Sequence, residues 1–213
     1  MKFNDRFDAG EQLAGRLQKY AKTDAIILAI PRGGVETGYA IATSLHLPLN
    51  VVLTKKIGYP GQEEYAIGAV SLTGIVLNPD IKLPQSYIDS ETARIRKLLE
   101  ERYVFFTGKR APVSLKGKIA IIVDDGIATG NTMFAAIDAV KSQNPEKIVV
   151  AVPVGPPSAI EQLKAIADEV VCLHAMPDFF AVGQFYLEFE QVDDARAVSL
   201  VEKANEYYNK KQR

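Results

Sequence analysis

Five runs of strand length, Ala25 to Ile30, Leu49 to Thr54, Ile119 to Val123, Ile148 to Val154 and Glu169 to Leu173, are apolar almost throughout rather than alternating. A strand of that kind leaves neither face for water, so the sheet it belongs to must be covered on both sides. Helical periodicity follows three of the runs, over Val35 to Leu45, Asn131 to Gln143 and Pro157 to Ala167, the last with proline in its first turn. Strand and helix in repeated alternation predict an α/β fold: a doubly wound, five-stranded parallel sheet with right-handed crossovers. A further stripe, Leu13, Leu17 and Tyr20, predicts a short helix packed near the first strand. Sheets of this type bind ligands beyond the carboxyl ends of their strands, where the strand order reverses, so function is to be sought in the loops that follow the strands.

Between Thr54 and Ile119 the rhythm breaks. AIGAVSLTGIVLN alternates around Thr73 and Gly74 and predicts a hairpin, while SYIDSETARIRKLLEERYVFF carries Ile88, Ile95, Leu98, Leu99 and Phe106 at helical spacing. Arg94, Arg96, Lys97, Glu100 and Glu101 form the solvated face of that helix. The expectation is a flap, about 56–116, inserted into a single domain spanning 1–213, a length that can bury one sizeable core. Lys and Arg (25) nearly balance Asp and Glu (26), which leaves no basic footprint for a phosphate backbone, so nucleic acid is not an expected partner. No apolar run approaches the ~20 residues that span a bilayer, and MKFNDRFDAGEQ has no apolar signal region, so no membrane association and a cytoplasmic location are expected. The lone Cys172, in EVVCL, reads as a buried strand thiol, and His46 and His174 lack metal-ligand spacing and read as structural.

The segment IAIIVDDGIATGNTMFAAIDAV, residues 119–140, passes from strand through two carboxylates, two glycines and two threonines into a helix. From Gly126 to Thr132 the backbone N–H groups and the helix N-terminus converge above the sheet as an anion site, to which Thr129 and Thr132 add hydroxyls. Two acids before a phosphate cradle would repel the phosphate if they faced it. They must face hydrogen-bond donors or a cation, and vicinal ribose hydroxyls with a nearby Mg²⁺ fit. The simpler alternative, a plain strand-to-helix turn capped by Thr129 or Asn131, accounts for the glycines but not for the paired acids.

VDDGIATGNT resembles the 5-phosphoribosyl-1-pyrophosphate (PRPP) motif of the type I phosphoribosyltransferases. The resemblance implies that Asp124 and Asp125 hold the ribose hydroxyls, and that the loop Gly126, Ile127, Ala128, Thr129, Gly130, Asn131 and Thr132 binds PRPP, with Ala128 to Thr132 on the 5′-phosphate. It implies Mg²⁺ near Asp124 and Asp125 without a dedicated protein cage. PRGGV at 31–35 is similar to the family's pyrophosphate loop and would put Arg32, Gly33 and Gly34 against the leaving group, with tight-turn glycines as the alternative. TKKIGYPGQEE resembles the lysine-bearing start of a mobile hood, so Lys55 and Lys56 would add charge there unless they are simply solvated. On that hood Glu63 or Glu64 would handle an acceptor proton. FAVGQ is similar to the base-stacking segment of 6-oxopurine enzymes, implying base contacts from Phe180, Ala181 and Val182, with ordinary aromatic packing as the alternative. AVPVGPPSA lacks the lysine that recognises a purine oxygen, and Leu187 stands where those enzymes have an acid, so the acceptor stays open.

The whole arrangement most resembles a bacterial phosphoribosyltransferase group, some of whose members are fused to hydrolase domains. It implies an enzyme using Mg-PRPP to transfer 5-phosphoribose to a small nitrogenous base with release of pyrophosphate, assembled as a homodimer. The alternative is a non-catalytic PRPP- or nucleotide-binding regulator of the same fold. A dinucleotide-binding dehydrogenase is disfavoured, because PRGGVETG replaces GxGxxG after the first strand.

Overall fold

The structure is a computed structural model that describes residues 2–78, 80–108 and 113–211, apart from the side chains of Glu63, Glu64 and Lys211. In chain order its elements are α1 (Arg6–Arg16), β1 (Ala25–Ala29), α2 (Gly33–Leu45), β2 (Leu49–Val51), β3 (Thr54–Tyr59), β4 (Gln62–Ser71), β5 (Ile75–Leu77), α3 (Gln85–Thr107), β6 (Ile119–Val123), α4 (Asn131–Lys141), β7 (Lys147–Gly155), α5 (Pro157–Lys164), β8 (Glu169–Ala175) and α6 (Asp194–Lys211). The five apolar runs form one sheet in the order β2-β1-β6-β7-β8, and every pairing within it is parallel.

Successive side chains of a strand point to opposite faces, and here both faces are dry. Ala25, Ile27, Ala29, Ile121, Val123, Val149 and Ala151 pack against Leu13 and Leu17, against Val35, Ile41 and Leu45 of α2, and against Ala197, Val201 and Ala204 of α6. Their neighbours Ile26, Leu28, Ala120, Ile122, Ile148, Val150 and Val152 pack against Met133, Ile137 and Val140 of α4 and against Ile160 and Leu163 of α5. The continuous apolar runs are thus two interleaved alternating patterns. Each fully buried aliphatic side chain contributes about 1.5–3 kcal/mol. The expected helix around Leu13, Leu17 and Tyr20 is α1 followed by a 3₁₀ turn at Gln18–Tyr20, and all three residues are buried. The second strand is shorter than expected, because Thr54 pairs instead with Ser71 in a separate sheet. Helix α6 adds a third element to the α1/α2 face, and its Asn205 side chain bonds both Leu49 N (3.3 Å) and Leu49 O (2.7 Å) on the outer edge of β2.

The inserted segment forms an antiparallel sheet in the order β3-β4-β5, turning at residues 72–74 as expected for the hairpin but with β3 added in front. It therefore begins at Thr54, two residues before the boundary expected for the flap. Helix α3 closes one side of it through a separate cluster of Ile57, Ile67, Val70, Ile95 and Leu99. Tyr87 of α3 donates to Gly58 O at 2.8 Å. No helix among the described residues is long and apolar enough to cross a membrane. Cys172 lies half-buried on β8, where burial pushes its thiol up to about 11. His46 ends α2 with a left-handed backbone (φ 59°), and His174 packs its ring against Phe3 at 5.6 Å.

At the amino ends of β7 and β8, Glu169 accepts from Lys147 (2.8 Å), Lys19 (2.9 Å) and the Tyr20 hydroxyl (2.6 Å). Burial alone would raise this carboxyl, but the three hydrogen bonds outweigh it and hold Glu169 down at about 2. A depressed carboxylate stabilises the fold above the ordinary range of ~4, and that contribution is lost as pH falls toward the folded value. Glu169→Gln is therefore expected to lower stability by about 1–2 kcal/mol near neutral pH. Urea titrations should show the gap to wild type shrinking below pH ~4; a gap that does not change with pH would remove the ionised carboxylate as its source.

Candidate functional site

Strands β1 and β6 end together. Ala29 and Val123 are register partners, and Ile30 N donates to Val123 O at 2.9 Å, so residues 31–34 and 124–132 leave the sheet side by side. The chain runs outward to β2 on one side of this pair and to β7 and β8 on the other, which makes it the point where strand order reverses. The two loops touch through glycine. A Cβ on Gly33 would lie 2.0 Å from Asp125 Oδ2, and one on Gly34 would lie 2.8 Å from Val123 O and 3.1 Å from Asp124 Oδ1. Neither glycine has positive φ, so the tight-turn alternative does not account for them; close approach to the acid pair does. The Pro31–Arg32 peptide between them and β1 is cis.

The two acids have different surroundings. Asp125 Oδ2 accepts from Arg6 Nε at 2.7 Å, and its main-chain carbonyl accepts from the Tyr186 hydroxyl at 2.5 Å. Asp124 Oδ1 accepts from Asp125 N at 2.9 Å. Burial, and after it the adjacent charge of Asp125, push the Asp124 carboxyl well above its ordinary range, and the bond from Asp125 N does not offset them. An ionised Asp124 thus calls for a cation or hydroxyl donors beside it. Burial and the Asp125 charge also raise the Tyr186 phenol, which keeps it protonated as a donor.

Beyond the acids the chain forms a cradle. Asp124 and residues 126–133 line a cavity of about 110 Å³. Helix α4 starts from Gly130, which holds a left-handed backbone (φ 80°), and no side chain caps it. The expected alternative of a turn capped by Thr129 or Asn131 is therefore not what forms. Thr129, Asn131 and Thr132 are exposed, and the first N–H groups of α4 are left for something outside the protein to accept. Among the described residues no group of three or more His, Cys, Asp or Glu side chains is arranged to hold a metal ion.

The remaining expected residues lie around this centre at different depths. Arg32 is half-exposed, with Nη1 3.8 Å from Asp194 Oδ1, and Asp194 is held bidentately by Arg102 of α3 at 2.8 and 2.9 Å. Lys55 shares with Pro31, Leu98, Arg102 and Phe105 the lining of an open cleft of about 610 Å³; Lys56 does not line it. Val182 comes against Gly126, where an added Cβ would sit 2.7 Å from Val182 Cγ1. Ala181 is exposed, and Phe180 stands 91% exposed on the same loop. Gln184 holds that loop, its Oε1 accepting from Phe180 N (3.0 Å) and Ala181 N (3.2 Å) and its Nε2 donating to Asp178 O (2.8 Å). Glu63 and Glu64 belong to β4, but their side chains lie outside the described residues.

A parallel five-stranded α/β sheet with an acid pair and an uncapped helix at its switch point defines a class that comparison makes specific. Residues 5–190 match the family described as "Phosphoribosyl transferase domain". The chain belongs to the phosphoribosyl transferase domain family. It is 40% identical over 208 residues to a Mycobacterium tuberculosis protein named "Putative phosphoribosyl transferase Rv0571c", covering 95% of this chain and 47% of that protein, so the chain spans about half the length of that relative. The crystal structure of TT1426 from Thermus thermophilus is similar throughout, with a TM-score of 0.83 and 41% identity over 95% of this chain and 99% of that one. A purine phosphoribosyltransferase from Pyrococcus horikoshii shares the fold, with a TM-score of 0.50 and 21% identity over 88% of this chain and 93% of that one.

Arg6 is absent from the residues that the sequence points to, and Gln184 and Tyr186, although they lie in or beside FAVGQ, are given no role there. Their signal is faint: Arg6 sits in an ordinary charged stretch, and only its position on the first turn of a helix, against the dipole, sets it apart. The glycine clearances make a direct test. Gly33→Ala must displace Asp125 or the loop and is expected to cost about 1–3 kcal/mol in urea unfolding. Gly15→Ala, in α1 with nothing within 4 Å of the added carbon, is expected to gain about 0.5–1 kcal/mol. Equal effects at the two positions would mean that the arginine loop does not rest on the carboxylate.

Proposed function

We propose that the chain is a phosphoribosyltransferase that binds Mg-PRPP and transfers its 5-phosphoribose to a nitrogenous base, releasing pyrophosphate. The observation that carries this reading is the uncapped start of α4, with its cavity of about 110 Å³, placed directly after a carboxylate pair that the protein leaves electrostatically unsatisfied at Asp124. In this reading the N–H groups of Ala128 to Thr132 and the two threonine hydroxyls take the 5′-phosphate, with the helix dipole behind them. Asp124 and Asp125 accept from the ribose hydroxyls and neutralise charge that grows on the sugar ring. Their hard carboxylate oxygens suit Mg²⁺, which when bound supplies positive charge to the pyrophosphate. Arg32, Gly33 and Gly34, with Lys55 from β3, face the departing pyrophosphate, while Lys56, next to Lys55 on the strand, points to the other face.

The acceptor would enter from the loop 178–184. There Phe180 offers an exposed aromatic face, and Ala181 and Val182 supply backbone and an apolar edge beside Gly126. Closure of the hood hairpin would exclude water, which otherwise competes as acceptor. Glu63 or Glu64 on that hairpin is the proposed proton acceptor.

The donor is tested first. PRPP with Mg²⁺ at ~100 times its dissociation constant should stabilise the fold by ~2.7 kcal/mol, a rise in melting temperature of about 5–10 °C for a chain of this size. Thr129→Val together with Thr132→Val should reduce the shift. Pyrophosphate release across a panel of free bases then identifies the acceptor, and Asp124→Asn should slow that release on the order of a hundredfold. Binding without release from any base would favour a PRPP-sensing regulator, and no thermal shift at millimolar PRPP would remove the donor assignment.

A further inference from the structure

Arg6 is buried, at 6% exposure, on the first residue of α1. Both facts are unfavourable by themselves: a cation opposes the helix dipole at that end, and a buried guanidinium loses its hydration. The helix needs no such residue, since Asp5 already caps it by accepting from Asp8 N at 2.8 Å. What Arg6 meets instead is a set of partners from other segments of the chain. Its Nε donates to Asp125 Oδ2 at 2.7 Å, its Nη1 donates to Glu190 O at 2.8 Å and lies 3.5 Å from Glu36 Oε2, and its guanidinium stacks 3.8 Å from the Phe189 ring centre. Glu36 in turn pairs with Arg196 of α6. Charges of alternating sign thus run from α6 through α2 and α1 to the acid pair.

The backbone of Asp125 does not depend on this chain of charges. Tyr186 holds its carbonyl, and Ile127 N bonds Val154 O at 2.9 Å two residues on. Arg6 fixes the carboxylate alone. It occupies Oδ2, and Gly33 packs against the same oxygen, where even one carbon would sit 2.0 Å from Oδ2 and 3.3 Å from Arg6 Nε. Among the described residues the hydrogen bond that this carboxylate takes from outside the acid pair falls on Oδ2, and the Asp124 carboxyl lies within hydrogen-bonding reach of the same side chain. We propose that Arg6 is a positioning residue for sugar binding: it pins Oδ2 of Asp125 so that Oδ1 is presented, in one orientation, to a ribose hydroxyl. The guanidinium fork suits the task because Nε and Nη1 bond different partners at fixed angles, which an ammonium does not reproduce. The proposal rests on the phosphoribose reading of the site, and it assigns to residue 6 a part of that grip made outside the motif itself.

Calorimetric titration separates the two. Wild type, Arg6→Met, Asp125→Asn and the double variant are titrated with Mg-PRPP, with ribose 5-phosphate and with inorganic phosphate. Arg6→Met should weaken both ribose ligands on the order of ten- to a hundredfold, the range of one charge-assisted hydrogen bond, and leave phosphate affinity at the cradle unchanged. In the double variant the loss should equal that of Asp125→Asn alone, because residue 6 acts only through that carboxylate. Arg6→Lys, which keeps the charge without the fork, should retain the fold with reduced ribose affinity and serves in the same comparison if Arg6→Met does not fold. Wild-type ribose affinity in both residue-6 variants, losses that add in the double variant, or equal weakening of phosphate would each overturn the proposal. If wild type itself binds neither ribose ligand, the phosphoribose reading fails, and the positioning role falls with it.

Discussion

The parallel pairing of β1 with β6 is the constraint on which the site depends. Five residues of each strand are in register, from Ala25 opposite Ile119 to Ala29 opposite Val123. A slip by one residue would turn Ile26 and Leu28 from the α4/α5 face to the α1/α2 face and expel their partners. Register is therefore enforced by aliphatic burial below the site, where it is worth many kcal/mol, and not by the loops above. Because the strands end level, the arginine loop and the acid pair emerge side by side, with tolerance only for glycine between them. Hydrophobic packing that never touches a ligand sets the distance between the two groups that would hold one.

Charge is distributed around that junction unevenly. Adjacent carboxylates in a partly buried loop repel each other, and the protein answers for only one of them: Asp125 receives Arg6, while Asp124 receives a single main-chain N–H and remains raised. The helix start a few residues later is likewise left without a side-chain cap. Asp124, met by one main-chain N–H, and a helix start without a side-chain cap line one cavity, complementary to a ligand that is anionic at one end and rich in hydroxyls in the middle. At the opposite, amino edge of the sheet the carboxylate of Glu169 is by contrast met by three donors.

What is legible in the sequence follows from how local the causes are. The sheet can be read because both-face burial leaves continuous apolar runs, and the cradle because phosphate binding at a helix start needs glycines and hydroxyls within a few consecutive residues. The edge strand β2 is shorter than its apolar run suggests, since Leu53 and Thr54 are equally good strand residues and only the pairing of Thr54 with Ser71 tells that they have left the sheet. Helix α6 is hard to read although Ala197, Leu200, Val201 and Ala204 have helical spacing, its apolar stripe being diluted by charge and small side chains. Arg6 is out of reach altogether. It lies 119 residues from Asp125 along the chain, and no short pattern connects them.

PRGGV shows why a matched motif and a derived one carry different information. Matched as a pyrophosphate loop, its glycines imply close approach of backbone to a ligand. In the structure both also face inward, onto Asp125 Oδ2 and onto Val123 O and Asp124 Oδ1, so a side chain is forbidden there whether or not a ligand is present. Their identity is thus a requirement of the acid pair, and by itself it says nothing of pyrophosphate. Arg32 is the reverse case: half-exposed, and paired among the described side chains with Asp194 at 3.8 Å, it is barely needed by the fold. A residue that packing does not require and solvent does not penalise is free to serve a ligand. Within one five-residue motif the glycines therefore report on the wall of the site, and the arginine is left unclaimed by that wall.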